Sequence, residues 1–266
     1  EVDSTYYRLP DETVVSRWVE RTPPGFVMHV KAFGVMTRHP VKVEQLPPDL
    51  RDGAPVDDRG RVDRPPREFR AEVFRRFHKA LEPLRETDKL GGVLLQFPSY
   101  VVYKEVSVDS LRWAVEQLGS DRPLVEFRHR SWLDDENRAA TLELLEELGA
   151  SNVIVDAPRT EAKNLVPTVV AATSPLAYVR FHGRNAGTWN ARGGSASDRF
   201  DYDYSDEELE EWVEPLRGLG KTADEVYVLF NNNRWSRTPR GEILAQAPVN
   251  AAALRRRLDE SGVPTG

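Results

Sequence analysis

One feature constrains this chain's fold more than any other: short apolar runs of strand length alternate with segments of helical period from end to end. The runs are EVDSTYY (1–7), GFVMHVKAF (25–33), GGVLLQFP (91–98), PLVEFRH (123–129), SNVIVDA (151–157), LAYVRFHG (176–183) and EVYVLFNN (225–232). Between them, Val14, Val15, Trp18 and Val19 form one face after Asp11, a residue type suited to an N-cap. Phe69, Val73, Phe77, Leu81 and Leu84 predict a long helix, and Val108, Leu111, Val115 and Leu118 predict another. Leu142, Leu145 and Leu148 line a helix ended by Gly149, and Leu254 and Leu258 mark a last one. Leu209, Trp212, Val213 and Leu216 follow a capping box begun by Ser205 and closed by Glu208.

Strand–helix alternation predicts parallel strands joined by right-handed crossovers. The chain opens on Glu1-Val2-Asp3, inside a strand-like run and without an initiator Met. Seven strands plus one expected before Glu1 predict an α/β protein of the TIM (β/α)8-barrel type, one domain over residues 1–266 with its first strand missing. No glycine-rich fingerprint follows an early strand, which argues against a dinucleotide-binding fold.

The 266 residues include no cysteine, which excludes disulfides, thiolate metal sites and thiol catalysis. A net charge of −6 disfavours a broad nucleic-acid footprint or an anionic membrane surface. No apolar run reaches the roughly 18–20 residues of a membrane span, and no signal peptide is visible. The expectation is a cytoplasmic protein with no membrane partner.

Against that background the stretch LVEFRHRSW (124–132) is unusual, with four charged or titratable side chains inside and just after an apolar strand. Side chains alternate along a strand, and a barrel's outer face must be apolar where helices cover it. Val125 and Phe127 then face out, and Glu126 and Arg128 face in. The same rule turns His29, Lys31, Gln96, Arg180, His182 and Asn231 inward. With Val153 and Val155 taken as outward, Asp156 also turns inward. Most of these lie near strand C-termini, where barrel enzymes build their sites. Two long loops interrupt the pattern. Residues 44–66 read as a surface loop, and 184–204, which carries aromatics, reads as either a lid at the strand ends or a loop pinned by those aromatics.

EVDSTYYRLP, FVMHVKAF, LGGVLLQFP, LVEFRHRSW, YVRFHGRN, YDYSDEELEEW and VYVLFNNN, in that order and across essentially the whole chain, resemble the YecE-like family known as domain of unknown function 72. The resemblance implies a TIM barrel. It also implies a strand ahead of EVDSTYY carrying a Gly-Thr-Ser-Gly-Trp-like motif, which this chain lacks. It supplies no reaction.

The chemistry must come from the residues. The inward set mixes Lys31, Arg128, Arg180 and His182 with Glu126, Asp156 and Asp3. Two arginines, a lysine and a histidine suit a small ligand bearing phosphate or carboxylate. The leading expectation is an enzyme, of hydrolase, lyase or isomerase type, in which Glu126, His182 and Lys31 are catalytic. Glu126 or His182 would act as acid or base, and Lys31 and Arg128 would hold developing negative charge. Lys31 as a Schiff-base former is a lesser option. Asp3, Thr5, Tyr6, Gln96, Arg128, His129, Trp132, Asp156, Arg180, Tyr204, Asn231 and Asn232 form the candidate binding set. No cofactor is expected. A divalent metal on Glu126, Asp156 and His182 is an alternative, opposed by the neighbouring cations. A nucleic-acid end, its phosphate in the lumen and its base stacked on aromatics, is another. His29 reads as a packed core histidine, and His39 and His78 as surface groups.

Overall fold

The computed structural model describes residues 1–189, 196–237, 239 and 241–266. They form two compact units, Glu1–Arg128 with Leu148–Ala150, and His129–Glu147 with Ser151–Gly266.

In the first unit three parallel strands run in the order β1 (Met28–Lys31), β2 (Leu90–Gln96) and β3 (Pro123–Glu126). Their register sets Val30 beside Val93 and Leu95 beside Val125 on one face. The other face carries Lys31 beside Leu94, Leu94 beside Leu124, and Gln96 beside Glu126. This is the parity expected from the alternation of LVEFRH. Between strands, Asp11 caps the helix Glu12–Glu20 by accepting from the Thr13 N–H at 2.8 Å. Val15 in that helix is buried, whereas Val14 is 41% exposed, so the apolar stripe is narrower than its four residues suggested. The long helix expected over 69–84 is broken at Leu81 into Arg67–Ala80 and Glu82–Glu86. Pro83 explains the break, because its ring cannot sit inside a continuous helix.

The expected strand 1–7 is corrected. Only Val2 pairs, as an isolated parallel bridge to Val30, and Ser4–Tyr6 coils into a 3-10 turn. Val, Thr and Tyr favour strands, but Asp3 and Ser4 favour turns, and the local bonds win.

In the second unit β4 (Ser151–Asp156), β5 (Leu176–Phe181) and β6 (Glu225–Phe230) are again parallel and consecutive. Ile154, Val179 and Phe181 pack with Leu209, Val213 and Leu216 of two short helices, Asp206–Glu210 and Val213–Leu219, with Trp212 at their junction, and with Leu254 and Leu258 of the helix Gln246–Glu260. Val226, Val228 and Phe230 press on the same cluster. Each such side chain contributes about 1.5–3 kcal/mol by leaving water. The capping box forms as expected, with Ser205 and Glu208 each satisfying the other's backbone N–H. A two-stranded antiparallel hairpin, β7 (Trp235–Arg237) with β8 (Ile243–Ala245), was not expected.

The α/β class and the parallel strands therefore agree with the sequence reading. Six parallel strands, not seven, are present among the described residues. No helix among those residues is long and apolar enough to cross a membrane.

Candidate functional site

Lys31, Gln96 and Glu126 are the last residues of β1, β2 and β3, and the register sets them on one face. Glu126 is fully buried. Its Oε1 accepts from the Gln96 amide at 2.7 Å and lies 2.5 Å from Arg128 Nε. A buried carboxylate costs several kcal/mol unless charge and hydrogen bonds meet it, and here both do. Lys31 Nζ lies 3.2 Å from Asp3 Oδ1 and 4.9 Å from the centre of the Tyr6 ring. Thr5, which is buried, donates to the Lys31 carbonyl at 2.5 Å and so ties the 3-10 turn to the end of β1. Burial, with Tyr7 and Tyr100 nearby, pushes the Tyr6 phenol up to about 12.

His39 belongs to this group and was missed. Its ring meets Tyr6 edge-on at 5.0 Å, and its Nδ1 is 2.9 Å from Thr37 Oγ1. Burial first, then the charges of Lys31 and Arg128, lower its pKa to about 4. It is not the free surface group expected of it. It lies in a loop, outside any strand alternation, so no sequence periodicity could have placed it. His78 is 44% exposed, as expected, though its Nδ1 lies 3.3 Å from Asp121. His29 is buried against Gly91, where an added Cβ would lie 2.6 Å from its Nε2, so it is a packed core side chain.

In the second unit Arg180 and His182 share a parity, and both are buried. Arg180 Nη1 lies 3.5 Å from His182 Nε2, and the Asn231 amide lies 3.1 Å from His182 Nδ1. Arginine can only donate, so its contact needs the lone pair on Nε2. The Asn231 amide nitrogen, also a donor, faces Nδ1, so donors meet both ring nitrogens and a neutral ring can accept from only one of them.

Asp156 departs from the sequence reading. Its register partner in β5 is Phe181, which faces the helices, and Ile154 of β4 packs in that same cluster. Val155 instead pairs with Arg180. Asp156 therefore lies on the helix side, and the parity assigned to Val153 and Val155 is reversed. Its carboxylate accepts from Arg184 (Nε 2.9 Å, Nη2 2.7 Å), from the Tyr204 hydroxyl at 3.0 Å and from Trp212 Nε1 at 2.8 Å. Burial, reinforced by the Asp156 charge, pushes the Tyr204 pKa up. Arg184, also missed, reaches Glu211 at 3.0 Å. Asn232 is buried, donating to the Tyr202 carbonyl at 2.9 Å and to Asn250 Oδ1 at 2.7 Å.

His129 begins the 3-10 turn Arg130–Trp132, with its Nδ1 accepting from the Ser131 N–H. Burial, then Lys163, lowers its pKa. Trp132 is buried. In the expected lid, Trp189 is buried and packs on Phe200, while Tyr202 packs on Tyr204. These aromatics pin the loop to the second unit. Residues 190–195 of that loop lie outside the described residues. Among the described residues, no group of three or more His, Asp or Glu is placed to hold a metal ion.

An α/β protein that ends consecutive parallel strands on lysine, glutamine and glutamate has a polar cluster where such folds usually carry their chemistry. The chain belongs to the family described as "Protein of unknown function DUF72", whose model matches residues 1–265. It is 33% identical over 237 residues to the UPF0759 protein YunF of Bacillus subtilis strain 168, a match that covers 88% of this chain and 76% of that protein. A crystal structure of a DUF72 family protein from Enterococcus faecalis V583 superposes with a TM-score of 0.76 at 26% identity, covering 97% of this chain and 83% of that one. A DUF72 family protein from Thermotoga maritima MSB8 does so with a TM-score of 0.70 at 30% identity, covering 96% and 82%.

Proposed function

We propose that this protein is an enzyme using acid/base chemistry on a small anionic substrate, with its strands forming part of a TIM (β/α)8-type barrel. One observation carries the reading: three consecutive parallel strands end on Lys31, Gln96 and Glu126, on one face, with Arg128 at the carboxylate. Glu126 takes or returns the proton, and Gln96 and Arg128 fix its orientation. Lys31 and Arg128 hold the substrate's charge and the charge that develops during reaction. Asp3 keeps Lys31 extended until an anion competes for it.

The test is a thermal-shift screen of phosphorylated and carboxylated metabolites, since a ligand that binds only the folded chain raises its melting temperature. A hit should be lost in Lys31→Met and retained, without turnover, in Glu126→Gln. If a hit is turned over equally fast by Glu126→Gln, the assignment of the proton-transfer group is wrong. If Lys31→Met leaves every hit intact, the anion does not bind at this cluster.

A further inference from the structure

Four arginines outside the strand ends, Arg38, Arg61, Arg64 and Arg70, line a cleft of about 680 Å³ in the first unit together with Tyr100, and His39 forms part of its wall. That volume suits a small metabolite rather than a single ion. Asp63 is the one carboxylate on its lining among the described residues.

Arg70 is the centre of the case. It sits in the first turn of the helix Arg67–Ala80 and is 7% exposed. Its Nη2 donates to the Met36 carbonyl at 3.0 Å, and its guanidinium stacks 4.5 Å from the Trp113 ring. Its Nε is buried with no hydrogen-bond partner, and no carboxylate pairs with it among the described residues. A buried cation without a counter-ion costs several kcal/mol, and its surroundings make this worse. Burial, then the charges of Arg38 and Arg67, pull its pKa down to about 10. Arg38 likewise has no ion-pair partner among the described residues. It is held at φ +68, where its backbone N–H closes the 3-10 turn Gly34–Thr37 and its carbonyl accepts from the Tyr100 hydroxyl. Arg64, at φ +43, has only a long contact of 3.9 Å to Asp63, with its side chain 93% exposed. Arg61 differs, being held by Asp57 through two bonds. Two arginines in left-handed backbone and one stripped of a counter-ion is a costly arrangement for solvated surface.

We propose that this cleft is an anion site for the phosphoryl group of a small molecule, with Arg38, Arg64 and Arg70 as its ligands and the Tyr100 hydroxyl at its edge. The planar guanidinium matches a phosphoryl group by two-point hydrogen bonding, and Arg70 brings to the cleft wall a buried cation that such an anion neutralises. The site does not depend on the chemistry assigned to Glu126.

The experiment is isothermal titration calorimetry with inorganic phosphate and with glycerol 3-phosphate, each against sodium chloride of equal ionic strength. Arg70→Met removes a buried stack and can unfold the chain, so the informative variants are Arg38→Asn and Arg64→Asn, since asparagine tolerates left-handed backbone. Saturable binding in the parent, weakened about fivefold or more in each variant, is the expected result; tighter binding of the ester than of phosphate identifies a phosphorylated metabolite as the source. The proposal is overturned if no heat exceeds the chloride control, if citrate binds as well as either phosphate, or if Lys31→Met abolishes binding that both arginine variants retain.

Discussion

The pairing of Glu126 with Arg128 makes a quantitative claim about stability. The carboxylate is fully buried, and the Arg128 side chain is 19% exposed. Arg128→Met would take the nearest cation from the buried carboxylate, and removing one partner of a buried pair costs about 3–5 kcal/mol. Glu126→Gln keeps shape and one acceptor, and leaves an arginine that still reaches water, so its cost is about 1–2 kcal/mol. In the double variant neither penalty applies in full. The two changes should therefore couple, with the double variant about 2–3 kcal/mol more stable than the sum of the singles predicts. Urea unfolding at neutral pH, with matched slopes across the four proteins, measures this. At roughly 2–4 °C per kcal/mol for a chain of this size, Arg128→Met should also lower the melting temperature by about 6–20 °C. Additivity to within about 0.5 kcal/mol would refute the reasoning, because the two side chains would then not form one electrostatic unit.

Three further outcomes follow from the geometry. His39, held neutral with a pKa near 4 against an ordinary 6.5, is protonated in the unfolded chain before the folded one. Stability should fall as pH drops from about 6.5 to about 4, by no more than about 3 kcal/mol, and the difference between the pH profiles of the parent and His39→Gln should isolate that slope; parallel profiles would contradict it. Asp156→Asn should cost about 3–5 kcal/mol in urea unfolding, since the Arg184 side chain, 10% exposed, loses its buried partner; a loss below about 1 kcal/mol would show that Glu211 and Glu208 suffice for Arg184. Gly183→Ala should destabilise by about 1–3 kcal/mol, because Gly183 sits at φ +86 and an added Cβ would lie 2.5 Å from Tyr202 Cβ; an unchanged melting temperature would show that the loop shifts freely.

How much could be read from the sequence depended on the element. Within residues 125–128, Glu126 and Arg128 fall on one parity and Val125 and Phe127 on the other, so the faces of β3 could be assigned, and Gln96 and Lys31 followed the same rule. SNVIVDA gave the wrong answer for a physical reason. Val153, Ile154 and Val155 are all buried, so a strand covered on both sides offers no alternation from which the face of Asp156 would follow. Its register partner Phe181 and its partners Tyr204 and Trp212, each about fifty residues away, reveal its face. Arg184, His39 and Arg38 could not be found by any period, because they lie in turns and loops where side-chain direction is set by tertiary contacts. The first strand-like run failed because propensity for strand and propensity for turn met within seven residues.

The knot around Asp156 has a consequence for how this fold can vary. Arg184 and Tyr204 bind the same carboxylate, so the chain between them leaves from and returns to one point. Such a closed excursion meets most of its closure cost at the anchor, while Trp189, Phe200 and Tyr202 add their packing along it. Doubling its length would add only about 0.6 kcal/mol of closure entropy. A change of length is therefore tolerated only where it spares Trp189, Phe200 and Tyr202, whose packing holds the two arms of the excursion.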